Sequence, residues 1–452
     1  MPQGKCEGDV GMVFSRIWKQ FCILVVKVFY RQYEVVGLER LNMASPVLLC
    51  ANHANALADA VVLQAISPRL IHPLARSGLF KNPVLWPVLK LIQAVPVYRR
   101  QDNGADIAKN QDSFGRCYEL FDNNGVLLIF PEGQSHSDPS LRSLKTGAAR
   151  VVLGASDAGR QVPVVLPVGL NFSDKGRFRS TVFIKIGEPI ATGQFLARGD
   201  KNQIKSLTRA IYQGLDDVTL NVDSHEELDF IKSLERFFAL RHGKYRQRSL
   251  ELRFRALKKL AKAEKRLNEL YPEKMRDIKR RLLNFERMCR NWDIRDYHLT
   301  LNYKPALVTR FILRSLGILL IILPLGIWGI INSYIPFVLT RSLATRFAKG
   351  VDQYDTAKMV IGLFLFTLFW GGQTIYVAGV FSEKLALYYA LGLIPSVAAA
   401  IMLRNERRRI LENIRVFFLF VRKRKLRRYL EVRRQELEQE LAHLVRIIKQ
   451  KT

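Results

Sequence analysis

The fold of this chain is decided by residues 46–59, which read PVLLCANHANALAD. Residues 46–51 form a continuous apolar run that ends in small residues, a pattern that predicts a short buried strand. His53 follows the carboxyl end of this strand, where α/β proteins bind ligands, and Asp59 comes six positions later. An imidazole can accept a proton near neutral pH and a carboxylate can fix its tautomer, so the pair is a candidate acid–base site. The plainer alternative is that His53 caps the next helix and Asp59 faces solvent.

Strand and helix patterns alternate along the chain on both sides of this stretch. Apolar strands are predicted at 33–39 (with a turn), 46–51, 70–75, 93–100, 126–130, 162–168 and 182–186. Helices are predicted between them, at 59–66, 80–92, 107–123 and 145–158. Such alternation predicts an α/β domain with a mainly parallel sheet, which we place at residues 33–220.

Charge and cysteine content narrow the class of protein. The 452-residue chain has a formal net charge of +31, which implies an anionic partner: nucleic acid, an anionic membrane surface or a phosphorylated substrate. Long uncharged runs in the last third of the chain favour lipid over nucleic acid. The five cysteines are scattered without a Cys-x-x-Cys pair, which indicates reduced thiols rather than a zinc site or a disulfide scaffold. We therefore predict no metal site.

Residues 1–32 predict an amphipathic, membrane-associated helix. Basic side chains alternate there with apolar and aromatic ones, as in helices that lie in the membrane interface. A helix packed on the core of the α/β domain fits the same pattern. The order of charged and apolar residues is not that of a secretory signal.

Three further regions follow the α/β domain. Residues 221–305 are rich in charged residues and predict a helical hairpin with a break at Tyr271-Pro272, interpreted as a solvated or coiled-coil-like arm rather than a second active site. Residues 306–403 contain three uncharged runs that each reach the ~20 residues needed to cross a bilayer. The runs are 315–340, 359–382 and 385–403. Residues 404–452 predict a basic amphipathic helix.

The distribution of basic residues predicts the membrane topology. The segments before the first run, between the first and second runs, and after the third run are all basic, which places them in the cytoplasm. Glu383-Lys384 forms a tight hairpin on the far side. The first run must then enter and leave on one face, and Pro324 permits such a re-entrant bend. We predict an integral membrane protein with its catalytic domain on the cytoplasmic face.

Four blocks of the sequence, taken in order, resemble the glycerophospholipid acyltransferase family, which includes lysophosphatidate and glycerol-3-phosphate acyltransferases. They are the His53/Asp59 pair, the strand end Tyr98-Arg99-Arg100, the turn Phe130-Pro131-Glu132-Gly133, and the 162–168 strand with Pro163 and Pro167. The resemblance covers roughly residues 33–190. A Phe-Pro-Glu-Gly turn downstream of Asn-His is its most specific element.

The resemblance implies an acyl transfer without a covalent enzyme intermediate. It makes His53 the general base that deprotonates an acceptor hydroxyl, which then attacks an acyl thioester, and it makes Asp59 the residue that orients His53. The co-substrate would be an acyl-CoA or an acyl-carrier-protein thioester, with no bound cofactor. Such a reaction needs a base within hydrogen-bond reach of the hydroxyl and donors for the developing oxyanion.

The same resemblance assigns the acceptor site. Arg100 would bind the acceptor phosphate, with Arg99 as the next choice, because a guanidinium binds phosphate in a bidentate manner. Glu132 and Gly133 would complete the acceptor pocket. Pro163 and Pro167 match the family's fourth block, for which a structural role is one interpretation.

The chain departs from the family pattern at two places. Five residues separate His53 from Asp59 where the family usually has four, so His53 is expected in the turn before the helix that carries Asp59. A longer spacing also occurs in a branch that resembles fungal-type glycerol-3-phosphate acyltransferases. Residues 134–136 are Gln-Ser-His where the family often has Thr-Arg-Ser, so His136 or Lys145 would replace that arginine, or else both are solvated loop residues.

Three classes of function remain open on the sequence. The first is a membrane-bound acyltransferase acting on 1-acylglycerol-3-phosphate to give phosphatidate, with glycerol-3-phosphate as the alternative acceptor. The second is a catalytically inactive scaffold that binds membrane lipid, against which the joint presence of base, carboxylates and arginine argues. The third is nucleic-acid binding by the basic helices at 241–290, which no recognition motif supports. The sequence does not define the oligomeric state.

Overall fold

The computed structural model describes residues 6–83, 85–99, 107–196, 202–241, 249–294, 298–299, 305–348 and 350–450. The chain divides into two compact units. The first, here called the sheet unit, comprises Met1–His225, Ser249–Phe254 and Ala348–Met359. The second, here called the helical unit, comprises Glu226–Arg248, Arg255–Phe347 and Val360–Thr452.

A seven-stranded sheet forms the centre of the sheet unit. Its strands are β1 Gln32–Val36, β2 Val47–Ala51, β3 Ile71–Arg76, β4 Val95–Val97, β5 Val126–Ile129, β6 Val164–Phe172 and β7 Thr181–Ile186. The order across the sheet is β1-β7-β6-β2-β5-β3-β4, and every neighbouring pair is parallel except β6 and β7. The predicted α/β class with a mainly parallel sheet is confirmed.

Strand β2 lies in the middle of the sheet, between β5 and β6. All five of its residues are completely buried, as expected for a parallel strand covered on both faces. Its carboxyl end therefore opens beside the ends of two other strands, and His53 lies two residues beyond Ala51. This edge is where open α/β sheets form their ligand crevices.

Helices cover both faces of the sheet in the described part of the unit. They are α1 Cys6–Phe29, α2 Leu57–Ile66, α3 Trp86–Leu91, α4 Asn110–Asp122, α5 Gly147–Asp157 and α6 Gln203–Val218. Helices α1 and α2 bury residues such as Val26 and Val62 on one face. Helices α4, α5 and α6 bury residues such as Phe121, Val152 and Leu215 on the other.

Three elements differ from those predicted. The helix expected at 80–92 is a 3-10 turn, Ser77–Lys81, followed by the short helix α3, because a proline fits the first turn of a helix but not its interior. The strand expected at 93–100 pairs only over Val95–Val97. Helix α6 is absent from the predicted elements, although its buried leucines and isoleucine have helical spacing.

Helix α1 has two apolar faces. On one face, Cys22 and Val26 are buried in the core of the sheet unit. This face matches the alternative prediction of a helix packed on the core of the α/β domain. Val13, Ile17 and Leu24 are more than half exposed at helical spacing on another face. An exposed apolar stripe of this kind agrees with the predicted membrane association.

The remaining elements are long helices. They are α7 His225–Arg241, α8 Leu250–Leu270, α9 Pro272–Asn291, α10 Pro305–Phe347, α11 Tyr354–Val380, α12 Glu383–Arg422 and α13 Arg424–Gln450. The predicted break at Tyr271 lies between α8 and α9. The helices of the arm bury an apolar core with residues near the end of α12 and along α13. Members of that core include Phe237, Phe285, Phe420 and Leu430.

Among the described residues, three helices are long and apolar enough to cross a membrane: Thr309–Phe347, Val351–Val380 and Glu383–Arg422. Large apolar side chains on them are exposed, such as Ile321 at 80% and Ile375 at 74%. Exposed apolar surface of this extent is typical of helices surrounded by lipid.

Helices α11 and α12 form a hairpin, in which the Tyr389 hydroxyl donates a hydrogen bond to Gln373 (3.2 Å). Residues 326–329 of α10 run along α12, so that the backbone of Gly329 abuts that of Ser396 and an added Cβ would overlap it. Residues further along α10 face α11: the Trp370 indole donates a hydrogen bond to Ser333 (3.3 Å), and a Cβ added to Gly362 would lie 3.4 Å from the Thr340 side chain.

Helix α10 therefore approaches the closed end of this hairpin and then turns back from it. Its two halves pair antiparallel with two helices that are themselves antiparallel, which a straight helix cannot do. Pro324 and Pro336 lie inside α10, and prolines are a usual cause of helix kinks. These contacts agree with the predicted re-entrant course of the first apolar run.

Candidate active site

The loop after β2 brings His53 and Asp59 together. His53 Nδ1 lies 3.0 Å from Asp59 Oδ2. Asp59 is in the first turn of α2 and is completely buried, whereas 18% of the His53 side chain is exposed. The imidazole also stacks on the Phe130 ring, with the ring centroids 3.9 Å apart. The carboxylate and the phenyl ring thus fix the imidazole and leave its Nε2 as the nitrogen available to a substrate.

The Asp59 carboxylate also organises the turn that precedes α2. The oxygen that faces His53 accepts hydrogen bonds from the amides of Ala54 (2.9 Å) and Asn55 (2.8 Å). Ala56 has φ 47° and ψ −129°, a conformation that residues with a side chain rarely adopt. The fifth intervening residue is accommodated in this turn, so His53 precedes the helix that carries Asp59, as the spacing predicts.

Glu132 joins the loop after β5 to the loop after β2. Its Oε1 accepts a hydrogen bond from the His53 amide (2.8 Å), and its Oε2 accepts one from the Arg142 amide (3.0 Å). The same Oε2 pairs with Nε2 of His136. The His136 amide in turn donates to the His53 carbonyl (3.1 Å). The Glu132 carboxylate thereby fixes the backbone of the proposed base, His53.

Burial alone would raise the pKa of Glu132. Its hydrogen bonds from His136 and from the amides of Arg142 and His53 outweigh that effect and hold the pKa below its ordinary value. Glu132 is only 3% exposed and both its oxygens are engaged, so its contacts are those of a positioning residue. Its part in the acceptor pocket stays a prediction. His136, considered above as a replacement phosphate ligand, is itself buried against Glu132.

Arg99 reaches the turn after β5 from the end of β4. Its Nη1 donates a hydrogen bond to the Gly133 carbonyl (2.7 Å). Gly133 has φ +79°, in the left-handed region that glycine adopts at little cost, and a Cβ there would lie 3.4 Å from Cγ of Lys145. The structure therefore brings Arg99, Gly133 and Lys145 together. Arg100, the predicted phosphate ligand, lies outside the described residues.

Residues 348–359, here called the bracing segment, contact the His53–Asp59 turn within the sheet unit. The Thr356 hydroxyl lies 3.1 Å from the Ala58 amide, which donates to it, and 3.2 Å from the Asn55 carbonyl, to which it donates. The Asn55 side-chain amide donates to the carboxylate of Asp355. Asn55 and Asp355 are both completely buried.

The bracing segment also contacts two other loops at the same edge of the sheet. The Ser135 hydroxyl, after β5, donates to Asp352. The Lys358 ammonium donates to the carbonyl of Gly176, between β6 and β7. The segment thus touches the loops that follow the three central strands, β2, β5 and β6.

Sequence reasoning missed the bracing segment as a part of the site. Between two apolar runs it reads as a basic linker, and its length suits a simple connection. The one available signal is its polar set of Asp352, Asp355 and Thr356, which neither membrane crossing nor cytoplasmic retention requires. The stacking role of Phe130 was also not predicted, because alternation along a strand does not say which residue a neighbouring loop will cover.

Side chains of the kinds suited to proton transfer and to anion binding lie together at this edge of the sheet. A partly exposed imidazole is held by a buried carboxylate, and cationic side chains lie on the adjacent turn. Within the described ranges, no group of three or more histidine, cysteine, aspartate and glutamate side chains could hold a metal ion.

Comparison with known proteins identifies the class of domain that has this arrangement. Residues 32–171 match the family model described as Acyltransferase, a span that contains His53, Asp59, Arg99 and Glu132. The predicted resemblance is thereby confirmed for this part of the chain.

Among characterised proteins, the chain is 26% identical over 258 residues to glycerol-3-phosphate O-acyltransferase 1 of Saccharomyces cerevisiae, which covers 54% of this chain and 33% of the yeast protein. It is 31% identical over 139 residues to glycerol-3-phosphate O-acyltransferase 2 of the same yeast, covering 30% of this chain and 19% of that protein. The 1-acyl-sn-glycerol-3-phosphate acyltransferase of Bacillus subtilis is 24% identical over 45% of this chain and 98% of its own length. The chain thus spans a third or less of the two yeast relatives.

Proposed function

We propose that this protein is a membrane-bound O-acyltransferase that moves a fatty acyl group from a thioester donor to a hydroxyl of a glycerophosphate acceptor. The observation that carries the proposal is the His53–Asp59 pair, 3.0 Å apart at the carboxyl end of the central strand. The acyltransferase family match over the same residues supports it.

In the proposed reaction His53 Nε2 accepts the proton of the acceptor hydroxyl as the hydroxyl oxygen attacks the thioester carbonyl carbon. Asp59 stabilises the imidazolium that forms, through its contact with Nδ1. The tetrahedral intermediate then collapses, the carbon–sulfur bond breaks, and the imidazolium returns the proton to the leaving thiolate. The products are one ester and one free thiol, and the histidine is regenerated without an acyl-enzyme.

Arginine side chains at the end of β4 are proposed to bind the acceptor phosphate. A guanidinium presents paired N–H donors that match a phosphate, and Arg99 lies beside the Gly133 turn next to the base. Arg100 keeps its proposed role as the main phosphate ligand. The net charge of +31 would also concentrate anionic lipid near the protein.

Glycerol-3-phosphate is the acceptor we place first. The yeast relatives whose names state this acceptor match the chain at 26% and 31% identity, and the longer spacing between His53 and Asp59 points to the same branch. The second candidate is 1-acylglycerol-3-phosphate, the acceptor in the name of the Bacillus relative, which aligns over 98% of its own length.

The catalytic domain is proposed to lie on the cytoplasmic face of the membrane. The bracing segment packs within the sheet unit, so the linker between the first two apolar helices and the catalytic domain are on one side. The basic residues of that linker favour the cytoplasm.

The proposal is tested with the purified full-length protein, a labelled acyl-CoA or acyl-carrier-protein donor, and the two acceptors side by side. We expect faster transfer to glycerol-3-phosphate, and a kcat about 10²- to 10⁴-fold lower in His53→Ala. His443→Ala is the matched control, because this histidine is exposed on α13. Substantial turnover by His53→Ala would reject the base assignment. Absence of transfer to both acceptors would reject the enzyme and favour the lipid-binding scaffold.

A further inference from the structure

We propose that Asp355 and Thr356, at the start of α11, are positioning residues that hold the His53–Asp59 pair in its reactive geometry. The inference rests on the proposed function. It gives two residues some 300 positions away in the chain a role in holding the turn between His53 and Asp59. Neither residue touches the acceptor in this scheme; both act through the backbone of residues 53–59.

The contacts of Thr356 and Asp59 converge on the same short piece of backbone. Asp59 accepts a hydrogen bond from the Asn55 amide (2.8 Å). The Thr356 hydroxyl donates one to the Asn55 carbonyl (3.2 Å) and accepts one from the Ala58 amide (3.1 Å). Asp355 holds the Asn55 side chain. Asn55 is thus fixed at its amide by the catalytic carboxylate and at its carbonyl and side chain by the bracing segment.

External contacts add to this turn at the helix start, where the N-cap residue itself makes no side-chain hydrogen bond. The first amides of a helix lack partners within that helix, and a Ser, Thr, Asp or Asn side chain at the N-cap normally accepts one of them. Here the N-cap is Ala56, which makes no side-chain hydrogen bond. The Ala58 amide donates within the turn to the Asn55 carbonyl (3.1 Å) and also to the Thr356 hydroxyl (3.1 Å), so Thr356 adds an acceptor from elsewhere in the chain.

Backbone strain at Ala56 is a second feature of this turn. Its φ of 47° and ψ of −129° are unfavourable for a residue with a Cβ, and such conformations persist only where surrounding contacts enforce them. The extra residue between His53 and Asp59 makes the turn longer, and contacts from the bracing segment hold this longer turn in place.

The inference also concerns the apolar helix α11, which begins two residues before Thr356. Thr356 lies within α11, Tyr354–Val380, so one continuous helix carries both the brace and a candidate membrane span. Displacement of the start of α11 would remove both contacts to Asn55. The kcat should therefore depend on whether the start of α11 keeps its contacts to Asn55.

The test compares three variants of the full-length protein with the wild type. Thr356→Val keeps the shape of the side chain but removes the hydroxyl, and we expect its kcat to fall roughly ten- to hundredfold while the KM for the acceptor stays within about twofold. Thr356→Ser restores the hydroxyl and should recover most of the kcat. Thr374→Val is the matched control on the same helix, since the Thr374 hydroxyl donates a hydrogen bond to the Trp370 carbonyl (2.7 Å) of its own helix, and its kcat should match the wild type.

A readout independent of turnover separates this inference from the proposed function. Modification of His53 by diethyl pyrocarbonate, followed by mass spectrometry, should be faster in Thr356→Val than in the wild type or Thr374→Val, because a loosened turn exposes the imidazole. An unchanged kcat per folded molecule with an unchanged modification rate would overturn the inference and leave the acyltransferase proposal intact. If the wild type transfers no acyl group, the proposed function fails, and the modification rate alone then decides whether Thr356 positions His53.

Discussion

The proposed base, His53, and the candidate phosphate ligand Arg99 are held in very different ways. His53 follows a central strand, and its ring, amide and carbonyl each have a partner: Asp59 and Phe130 for the ring, Glu132 for the amide and His136 for the carbonyl. Arg99 follows β4, a three-residue strand at the edge of the sheet, and reaches the site through a long side chain.

This difference fits the role proposed for each group. Proton transfer requires a base within hydrogen-bond reach of the hydroxyl, and a misplacement of 1 Å can cost about 10²-fold in rate. Charge attraction falls off slowly with distance, so a guanidinium on a flexible stem can bind a phosphate from several positions. We therefore expect changes around His53 to lower kcat and changes around Arg99 to raise the KM for the acceptor.

The largest effect in this comparison is expected from Glu132→Gln. The substitution places an amide N–H₂ against either the His53 amide or the Arg142 amide, both of which are donors. We expect a loss of about 1–3 kcal/mol in the free energy of unfolding for the buried unpaired donor. We also expect a kcat lower by roughly 10²-fold, since the backbone of the base shifts.

The stability effect of Glu132→Gln should depend on pH in a defined direction. The folded state holds the pKa of Glu132 below its ordinary value, so the carboxylate stabilises the protein above the ordinary carboxyl range and loses this effect as the pH falls through the folded pKa. Chemical unfolding of wild type and variant should differ by a constant amount near neutral pH and converge in acid. Glu188→Gln, at a side chain 79% exposed, is the control; an equal loss there would show that Glu132 has no special role.

The course of β2 and the neighbourhood of His53 and Asp59 could be predicted from the sequence because they depend on short-range patterns. A continuous apolar run such as 47–51 has one stable environment, between neighbouring strands under helices, and the residue after it must appear at the edge of the sheet. The spacing from His53 to Asp59 excluded a shared helix face, which left only the turn before α2.

The contribution of Asp355 and Thr356 could not be predicted because it depends on tertiary contacts across most of the chain. No periodicity in 348–359 indicates which surface it covers, and its basic flanks explain it fully as a cytoplasmic linker. Helix α6 was missed for a similar reason. Its buried stripe is clear only when the sheet face it covers is known, since Leu207 and Leu215 stand among polar neighbours.

The second prediction concerns the two arginines at the end of β4. We expect Arg100→Ala to raise the KM for the acceptor about ten- to hundredfold, from the loss of one charge-assisted phosphate contact worth about 1.5–3 kcal/mol, with kcat and the donor KM little changed. Arg99→Ala should affect both kcat and the acceptor KM, because Arg99 also fixes the Gly133 carbonyl beside Glu132. Initial rates over a matrix of donor and acceptor concentrations separate these effects.

A reversed pattern would change the assignment of the cation. If Arg99→Ala raised only the acceptor KM and Arg100→Ala left it unchanged, Arg99 would be the phosphate ligand. Arg99→Lys is the informative companion variant, since it keeps the charge but loses the paired N–H donors.

The smallest effect is expected at Ala56, and it tests whether the base side is held by its contacts rather than by local preference. Ala56→Gly relieves the strain of φ 47°, and we expect the free energy of unfolding to rise by about 0.5–1 kcal/mol, with kcat within about twofold of the wild type. Ala60→Gly, in the interior of α2, is the matched control and should lower the free energy of unfolding by about 1 kcal/mol. Thermal or chemical unfolding measures both changes. Equal destabilisation by the two glycines would mean that the turn before α2 carries no strain, and that the hydrogen bonds of Asp59 and Thr356 stabilise a conformation the chain would adopt without them.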